Sequence, residues 1–525
     1  MKLTTEQIVK HFIDVEMIKY NHEYSRIAKI HKYWSRKPWF VIERYISAYS
    51  KENDLVLDPF CGSGLFGLEA ILQDRDFVGY DLNPFAIFLA ETTLDTLFDS
   101  AEFENELKII RNDIKAKIMK LYAINSAYLL YGILGGKNIK KYNAILCDGN
   151  FQNKEKVILN KDNLMPEINI PLNLHFPDND FPKKFYKDRF SYKGVNKVSQ
   201  MFTRRNLLAL TLLYNELTSK NFKYKDYFYL ALTNTLLHVS KLKAENVRPL
   251  SVNNYWIPDD YIEENVWWRF EDRVKNVEIA KTTYLKRIKL SNTPLGRFKF
   301  FNKSSLEMNE ISNNSVDYLI TDPPYGDSIQ YSELSFIWNT WLKRVFDTRE
   351  EVIINPVQNK GINEFNVQIQ NFINETKRVL KSDAYFTLCF QNKDPKIWIN
   401  IAEAIFQKGF KLVDISSYNT FGSPYNKSWS KFSPKSDFYV TFKKDTNTTT
   451  SSYNKKIEPE HIAKQIIQYF KKHNGKLLNL NKSYDLFVSV VIKKIFDGYS
   501  VINYEKLTIK SIILMFKEII GYGDK

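Results

Sequence analysis

Two hydrophobic patterns alternate along this chain. Short apolar runs bounded by acids, glycines or prolines occur at residues 54–57, 77–80, 297–301, 316–320, 384–390, 411–415 and 438–442. Runs of that length between turn formers predict buried strands. Between them, apolar residues recur at three- and four-residue spacing. That spacing predicts helices over 103–121, 204–217, 224–239, 331–342, 365–380 and 397–408, with a shorter one opening at Phe66, and Gly409 suits a C-cap. Strands alternating with helices predict an α/β fold with a doubly wound sheet. Two stretches break the alternation. Residues 96–297 are dominated by helical patterns and irregular polar pieces. Residues 446–452 are a polar linker, followed by amphipathic patterns over 458–472, 483–496 and 506–520. The expected organisation is therefore a first core segment (1–95), an inserted region (96–297), a second core segment (298–445), and a linker with a small helical C-terminal domain (446–525).

Composition changes this picture little. A chain of 525 residues with 44% hydrophobic and 15% aromatic residues folds and holds more than one domain. The net charge of +15 favours a polyanionic partner, although a Lys- and Asn-rich composition weakens that inference. Cys61, Cys147 and Cys389 are far apart and form no CxxC, and no HExxH occurs, so no metal site is expected. No run is long and apolar enough to span a bilayer, and the first residues lack a signal core. The expected compartment is the cytoplasm, with no membrane partner.

Two motifs carry the chemistry. After the strand at 54–57 comes Asp58-Pro59-Phe60-Cys61-Gly62-Ser63-Gly64, and then a helix. Strand, glycine turn and helix form the context in which a Gly-x-Gly is informative, because glycine lets the backbone approach a ligand. A second strand ends in Asp81, about twenty residues on, where an acid can hold a ribose diol. The motif is neither a GxGxxG fingerprint nor a P-loop. An acid ahead of the turn disfavours a pyrophosphate and suits an ammonium group. S-adenosylmethionine, with an amino-acid end and an adenosine end, has that shape. The second motif, Asp322-Pro323-Pro324-Tyr325, follows the strand at 316–320. Prolines end a ladder, which leaves the acid at the carboxyl edge of the sheet. A carboxylate and a proline-restrained carbonyl can accept two hydrogens of an exocyclic amine, and Tyr325 offers a flat face.

Together these stretches resemble the prokaryotic amino-methyltransferases of DNA. Asp58-Pro59-Phe60-Cys61-Gly62-Ser63-Gly64 resembles their cofactor motif and Asp322-Pro323-Pro324-Tyr325 their catalytic motif. His31-Lys32-Tyr33-Trp34-Ser35-Arg36-Lys37-Pro38 is similar to a segment that lines the methionine side of the cofactor. Tyr331-Ser332-Glu333-Leu334-Ser335 is similar to a stretch in a subgroup of adenine-specific enzymes. The resemblance implies a methyltransferase-type Rossmann sheet with an antiparallel finish. It also implies S-adenosylmethionine as cofactor, and double-stranded DNA as partner with adenine N6 as target. Lys37, Pro38, Asp58, Pro59, Phe60, Cys61, Gly62, Gly64 and Asp81 are then the cofactor-binding residues. Asp322, Pro323, Pro324 and Tyr325 are the catalytic ones. Asp81 would hold the ribose, the target base would leave the duplex and stack on Tyr325, and Cys61 is read as packing.

The third strand of that fold falls at 297–301. Ser304 or Ser305 stands where an acid is usual, and the insertion of about 200 residues is expected to recognise the target. Basic and aromatic residues alternate at Lys183, Lys184, Phe185, Tyr186, Lys187, Arg189, Phe190, Tyr192, Lys193, Lys197, Arg204 and Arg205, a mixture suited to phosphates and bases. A similar mixture near His22, Tyr24, Arg26, Tyr33, Trp34, Arg36 and Trp39 either touches phosphate or roofs the cofactor. Lys427, Trp429 and Lys431 in the loop 421–435 are a further candidate contact. Trp256, Trp267, Trp268 and Trp338, with Arg248 and Arg269, are expected to pack the insertion on the core, and the polar loop 347–363 to move over substrate. Cytosine-N4 methylation of DNA, guanine-N2 methylation of RNA (which Gly326 favours) and a non-catalytic DNA-binding subunit are the alternatives. The biological setting implied is restriction-modification or phage defence, with any restriction or defence subunit a separate partner.

Overall fold

The computed structural model describes residues 26–135, 141–160, 168–171, 173–182, 184–186, 194–250, 255–291, 293–344, 347–419, 436–445, 452–472 and 480–520. The first segment runs helix α1 (Trp39–Tyr49), strand β1 (Leu55–Asp58), helix α2 (Leu65–Ile71), strand β2 (Asp76–Tyr80) and helix α3 (Pro84–Leu94). Pro84 sits in the first turn of α3 and the Asn83 side chain accepts the Phe85 N–H at 3.1 Å, so this helix starts sharply beside Asp81.

The insertion has the expected helices. α4 (Ser100–Ile110) continues through a π turn, Arg111–Lys115, into α5 (Ala116–Lys120). It also contains a sheet that the periodicity did not predict. Strands β3 (Ala123–Ile124), β4 (Ala127–Gly135), β5 (Lys141–Cys147) and β6 (Glu155–Asn160) pair antiparallel in that order. After α6 (Arg204–Ser219) and α7 (Lys225–His238), strand β7 (Asp260–Glu264) returns to pair with β4. The 26-residue helix α8 (Val266–Ser291) leads back to the main sheet. Cys147 and Asp148 therefore lie at the end of β5 in this second sheet and not at the cofactor edge.

The insertion is not a separate body. Phe85, Phe88 and Leu89 of α3 share one buried cluster with Phe103, Phe228, Trp267 and Trp338. Trp267 and Trp338 are fully buried, as expected, whereas Trp256 is 39% exposed and packs no core. Trp268 is covered by the Arg269 guanidinium at 4.5 Å, which is itself paired with Glu264.

The second core segment supplies β8 (Phe298–Phe301), β9 (Val316–Thr321), α9 (Tyr331–Leu334), α10 (Phe336–Trp341), α11 (Ile362–Val379), β10 (Leu380–Phe390), α12 (Pro395–Gln407), β11 (Phe410–Asn419) and β12 (Ser436–Lys444). Two expectations change. The helix expected over 331–342 breaks at Ser335, whose hydroxyl accepts from Asn83 Nδ2 at 3.0 Å. The strand expected from 384 starts earlier, at Leu380, so residues 381–383 lie within β10, where pairing with β9 is irregular between Leu380 and Tyr385.

The seven strands are ordered β11-β12-β10-β9-β1-β2-β8. β10, β9, β1, β2 and β8 run parallel, and β12 is antiparallel to both its neighbours. This is the expected α/β sheet with its antiparallel finish. Its consequence is that β1 and β9, which carry the two motifs, are adjacent.

The C-terminal unit is β13 (Lys455–Ile457), α13 (Pro459–Lys472), α14 (Leu480–Phe496), β14 (Tyr499–Val501) and α15 (Ile509–Ile520). The three helices are as read, with a two-stranded ribbon besides. The unit braces the core: Phe496 meets Phe406 and Phe442 at ring separations of 5.6 and 5.2 Å. Most of the linker, 446–451, lies outside the described residues, and no described helix is long and apolar enough to cross a membrane.

Candidate active site

Both motifs open onto one cleft at the carboxyl edge of the sheet. Pro59, Phe60, Cys61 and Gly62 line it from the β1 side, Asp81 from β2, Ser304 and Ser305 from β8, and Asp322 and Pro324 from β9. Tyr33, Trp34, Arg36 and Lys37 line it from the amino-terminal segment, and Tyr331 from α9. The amino-terminal mixture of basic and aromatic residues is thus the roof of a cleft. His31 of that segment is buried between Phe85 and Trp338, and burial drives its pKa down to about 3. His22 and Tyr24 lie outside the described residues.

The glycine turn is held by its acids. The Gly62 N–H donates to Asp81 Oδ2 at 2.9 Å and the Asn83 N–H to Asp81 Oδ1 at 2.8 Å. Burial raises the Asp81 pKa to about 6 against these two donors. Gly62 has φ +49°, and a Cβ there would stand 2.9 Å from the Tyr33 ring. Gly64 is different from its reading. Its φ is +76° and the space a Cβ would fill is taken by Ala90 of α3, at 2.8 Å. It serves helix packing and does not line the cleft. Cys61 is buried, its thiol pushed up by burial, consistent with packing.

Asp58 sits behind the turn, fully buried. Its Oδ1 accepts from Thr321 Oγ1 at 2.6 Å and the Phe60 N–H at 3.0 Å. Its Oδ2 has no hydrogen-bond partner among the described residues. Burial lifts its pKa to about 8. A buried acceptor without a donor is costly, and an ammonium group would satisfy it. Asp58 itself does not line the cleft, so an ammonium group would reach Oδ2 only on a shift of the Pro59–Gly62 turn; with that shift the carboxyl suits a cofactor with a cationic amino-acid end.

The Asp322-Pro323-Pro324-Tyr325 turn closes on itself. Tyr325 is buried, edge-on to Phe390 at 5.2 Å, and its hydroxyl donates to Asp322 Oδ1. The ring therefore presents no free face for stacking in this structure. Lys37 is 3% exposed and, besides lining the cleft, makes its ion pairs with this half. Its Nζ donates to the Tyr325 hydroxyl and pairs with Asp322 Oδ2 at 3.1 Å and Asp437 Oδ2 at 3.7 Å. Pro38 does not line the cleft and stands at the start of α1. Burial raises the Asp322 pKa to about 6, with Lys37 opposing it. Burial would depress Lys37, but Asp322 and Asp437 hold it above the ordinary lysine range. Pro323 is buried and does not line the cleft.

The surroundings hold this turn in place. Asn392 Nδ2 donates to the Tyr325 carbonyl at 3.1 Å, and the Asn392 carbonyl accepts from Tyr484 of α14 at 2.7 Å. Glu351 accepts from the Ser332 N–H and hydroxyl at 3.0 and 2.7 Å, and Ile354 N–H donates to the Gly326 carbonyl at 3.2 Å. In this structure the loop 347–363 is hydrogen-bonded to α9 and to the turn after the motif. Of the basic run in the insertion, Arg205 is a core residue beside Glu263. The Tyr186 N–H is anchored on Glu333 at 3.1 Å. Lys183, Lys187, Arg189, Phe190, Tyr192, Lys193 and the loop 421–435 lie outside the described residues.

Asp437 and Asn392 were not anticipated. Neither carries a local signal: Asn392 follows β10, which is brought to the motif by its pairing with β9, and Asp437 comes from β12, brought in by its pairing with β10. Asn83 could have been found: an Asn before a Pro at a helix start is a cap signature.

A DNA methylase family model matches residues 5–92. The type II methyltransferase M.HpaI of Haemophilus parainfluenzae is 36% identical over 93 residues, 17% of this chain and 30% of that protein. M.HinfI of Haemophilus influenzae is 29% identical over 126 residues, 24% of this chain and 34% of that protein. The DNA adenine methyltransferase YhdJ of Escherichia coli K12 is 39% identical over 61 residues, 12% of this chain and 21% of that protein. The chain thus spans about a third or less of the length of these relatives. A solved antibiotic-related methyltransferase is 12% identical, covering 32% of this chain and 72% of that one, with a TM-score of 0.15.

Proposed function

We propose, from a cofactor half-site similar to that of prokaryotic S-adenosylmethionine-dependent DNA amino-methyltransferases, that this chain methylates adenine N6 of an extrahelical base in double-stranded DNA. The observation that carries the reading is the shared cleft. Asp81 and the Gly62 turn stand on one wall and Asp322 on the next, because β1 and β9 are neighbours. An aspartate at 322, where cytosine-N4 enzymes usually carry serine, favours adenine. A DNA adenine methyltransferase is also among the similar proteins.

S-adenosylmethionine would supply an electrophilic methyl group, held by Asp58 at its ammonium, Gly62 along its backbone and Asp81 at its ribose. The residues of the chain do the rest by position and charge. Asp322, which lines the cleft, accepts from the target amino group and directs its lone pair outward; the Pro323 carbonyl joins it only if the turn opens, since Pro323 does not line the cleft in this structure. For this, Tyr325 must release Asp322 Oδ1, so base entry is coupled to a turn of that ring. Pro323 and Pro324 keep the two acceptors rigid. Ser304 and Ser305 face the cleft where an acid would meet the cofactor adenine. Gly326 has φ +61° in the turn after the motif, which accounts for glycine there without an RNA substrate. The insertion is the target-recognition element in this reading, and a restriction or defence subunit would be a separate chain.

The test is nucleoside mass spectrometry of DNA from a methylation-free host expressing the chain. N6-methyladenine is expected, and its loss in Asp322→Ala. N4-methylcytosine would overturn the base assignment while keeping the mechanism.

A further inference from the structure

Three buried charges meet behind the catalytic turn. Lys37 Nζ lies 3.1 Å from Asp322 and 3.7 Å from Asp437, and 4.9 Å from the centre of the Tyr325 ring. Lys37 and Asp437 are 3% and 6% exposed. They come from the segment before α1 and from β12, about 400 residues apart in sequence.

A lone lysine against Asp322 would be a poor design for amino-group methylation. As the methyl moves, positive charge passes to the amino nitrogen that Asp322 holds. An uncompensated ammonium beside Asp322 would cancel the carboxylate that favours this charge. Without any lysine, two carboxylates would share one dry pocket and one would take up a proton, as like-charge pairs do. With Asp437 present, Lys37 is neutralised and the group as a whole keeps one negative charge. The lysine also ties Asp322 Oδ2 in place, leaving Oδ1 as the acceptor that Tyr325 covers and a base would take.

We propose that Lys37 and Asp437 are positioning residues for methyl transfer: Lys37 orients Asp322 and keeps it ionised, and Asp437 offsets the charge of Lys37 so that the clamp stays net negative. The proposal rests on the methyltransferase reading above. It adds to the expected place of Lys37 on the cofactor side of the cleft.

The groups facing Asp322 from the surrounding elements are Asp58 on β1, Cys389 on β10, Asp437 and Tyr439 on β12, Tyr331 on α9, Tyr325 in its own turn, and Lys37. Of these, Lys37 is the group that lowers the proton affinity of Asp322 by charge, and Asp437 raises it. Removing each should therefore move the titration of Asp322 in opposite directions, by about one pH unit for charges at this range. A residue that only supports the fold would not produce opposite shifts.

The experiment is the pH profile of kcat at saturating S-adenosylmethionine and duplex DNA for wild type, Lys37→Met, Lys37→Arg and Asp437→Asn, with cofactor affinity measured on each. The acid limb is expected near pH 6 in wild type, higher in Lys37→Met, lower in Asp437→Asn, and close to wild type in Lys37→Arg. Cofactor affinity should change less than threefold. Limbs that coincide or move the same way overturn the proposal, as does a loss in Lys37→Met confined to cofactor binding. Thermal melting of the same proteins from pH 8 to 6 reads the charge group without turnover. The Tm deficit of Lys37→Met should shrink on acidification, as one of the two abandoned carboxylates is protonated, and that of Asp437→Asn should not. A wild type without methyl transfer would overturn the functional reading. The melting series would then still decide whether Lys37 keeps Asp322 ionised, and equal deficits across pH would refute it.

Discussion

Asp58 gives the cofactor site a defined pH signature. Its carboxyl is fully buried, has one oxygen without a partner among the described residues, and holds its proton up to about pH 8. If that oxygen receives the ammonium of S-adenosylmethionine, binding below pH 8 must expel the Asp58 proton. Each pH unit below 8 then weakens binding by up to tenfold, so pH 6 should be up to about 100-fold, or about 2.7 kcal/mol, weaker than pH 8. Above about pH 8 the α-amino group of the cofactor loses its own proton, so affinity should pass through a maximum there. Between about pH 6.5 and 7.5 Asp58 dominates the profile, because Asp81 and Asp322 titrate near 6 and the α-amino group of the cofactor near 8. Calorimetry in buffers of different ionisation enthalpy should record close to one proton released per cofactor bound at pH 7. Asp58→Asn should bind weakly, with neither the slope nor the proton release. A flat wild-type profile over that window, or an Asn variant with the same slope, would refute the assignment.

Two further outcomes concern the frame of the site. Gly64→Ala should destabilise the protein by about 2–5 kcal/mol. A left-handed backbone costs an L-residue roughly 1–2 kcal/mol and a methyl driven 2.8 Å from Ala90 costs about 1–3 more, read by urea unfolding. Arg287→Met should abandon Glu69, which is 1% exposed and now gripped at 2.8 and 2.9 Å. Burial already raises Glu69 to about 7, so its ionised form is the destabilising one. Arg287 lowers the proton affinity of Glu69, so without it the carboxyl is protonated already above pH 7; the loss, up to about 3–5 kcal/mol where Glu69 is forced to stay ionised, should be largest at high pH and diminish before pH falls to 7.

Much of this fold is legible in the chain because its strands are short, apolar and punctuated. The runs ending at Asp58, Tyr80 and Thr321 each stop at an acid or a proline, and those stops are the site. The second sheet was hidden because runs such as Ala127–Gly135 do not distinguish strand from buried helix by periodicity, and its last strand, β7, joins β4 from more than a hundred residues away. The ion pairs of Lys37 were not legible because a motif gives order along the chain, whereas they depend on where β9 and β12 lie. Asp437 was invisible for the same reason. Gly64 was given to the cofactor because a sequence shows that a glycine is present but not what occupies the space it leaves.

The central claim is methyl transfer to an exocyclic amine in DNA by the Asp322 clamp. Its most direct test is transfer of labelled methyl from S-adenosylmethionine to unmethylated duplex DNA and, side by side, to bulk RNA, with the product nucleosides identified. The account predicts label in N6-methyladenine of DNA, absent with Asp322→Ala. Label in N2-methylguanine of RNA, or transfer to DNA that persists in Asp322→Ala, would contradict it.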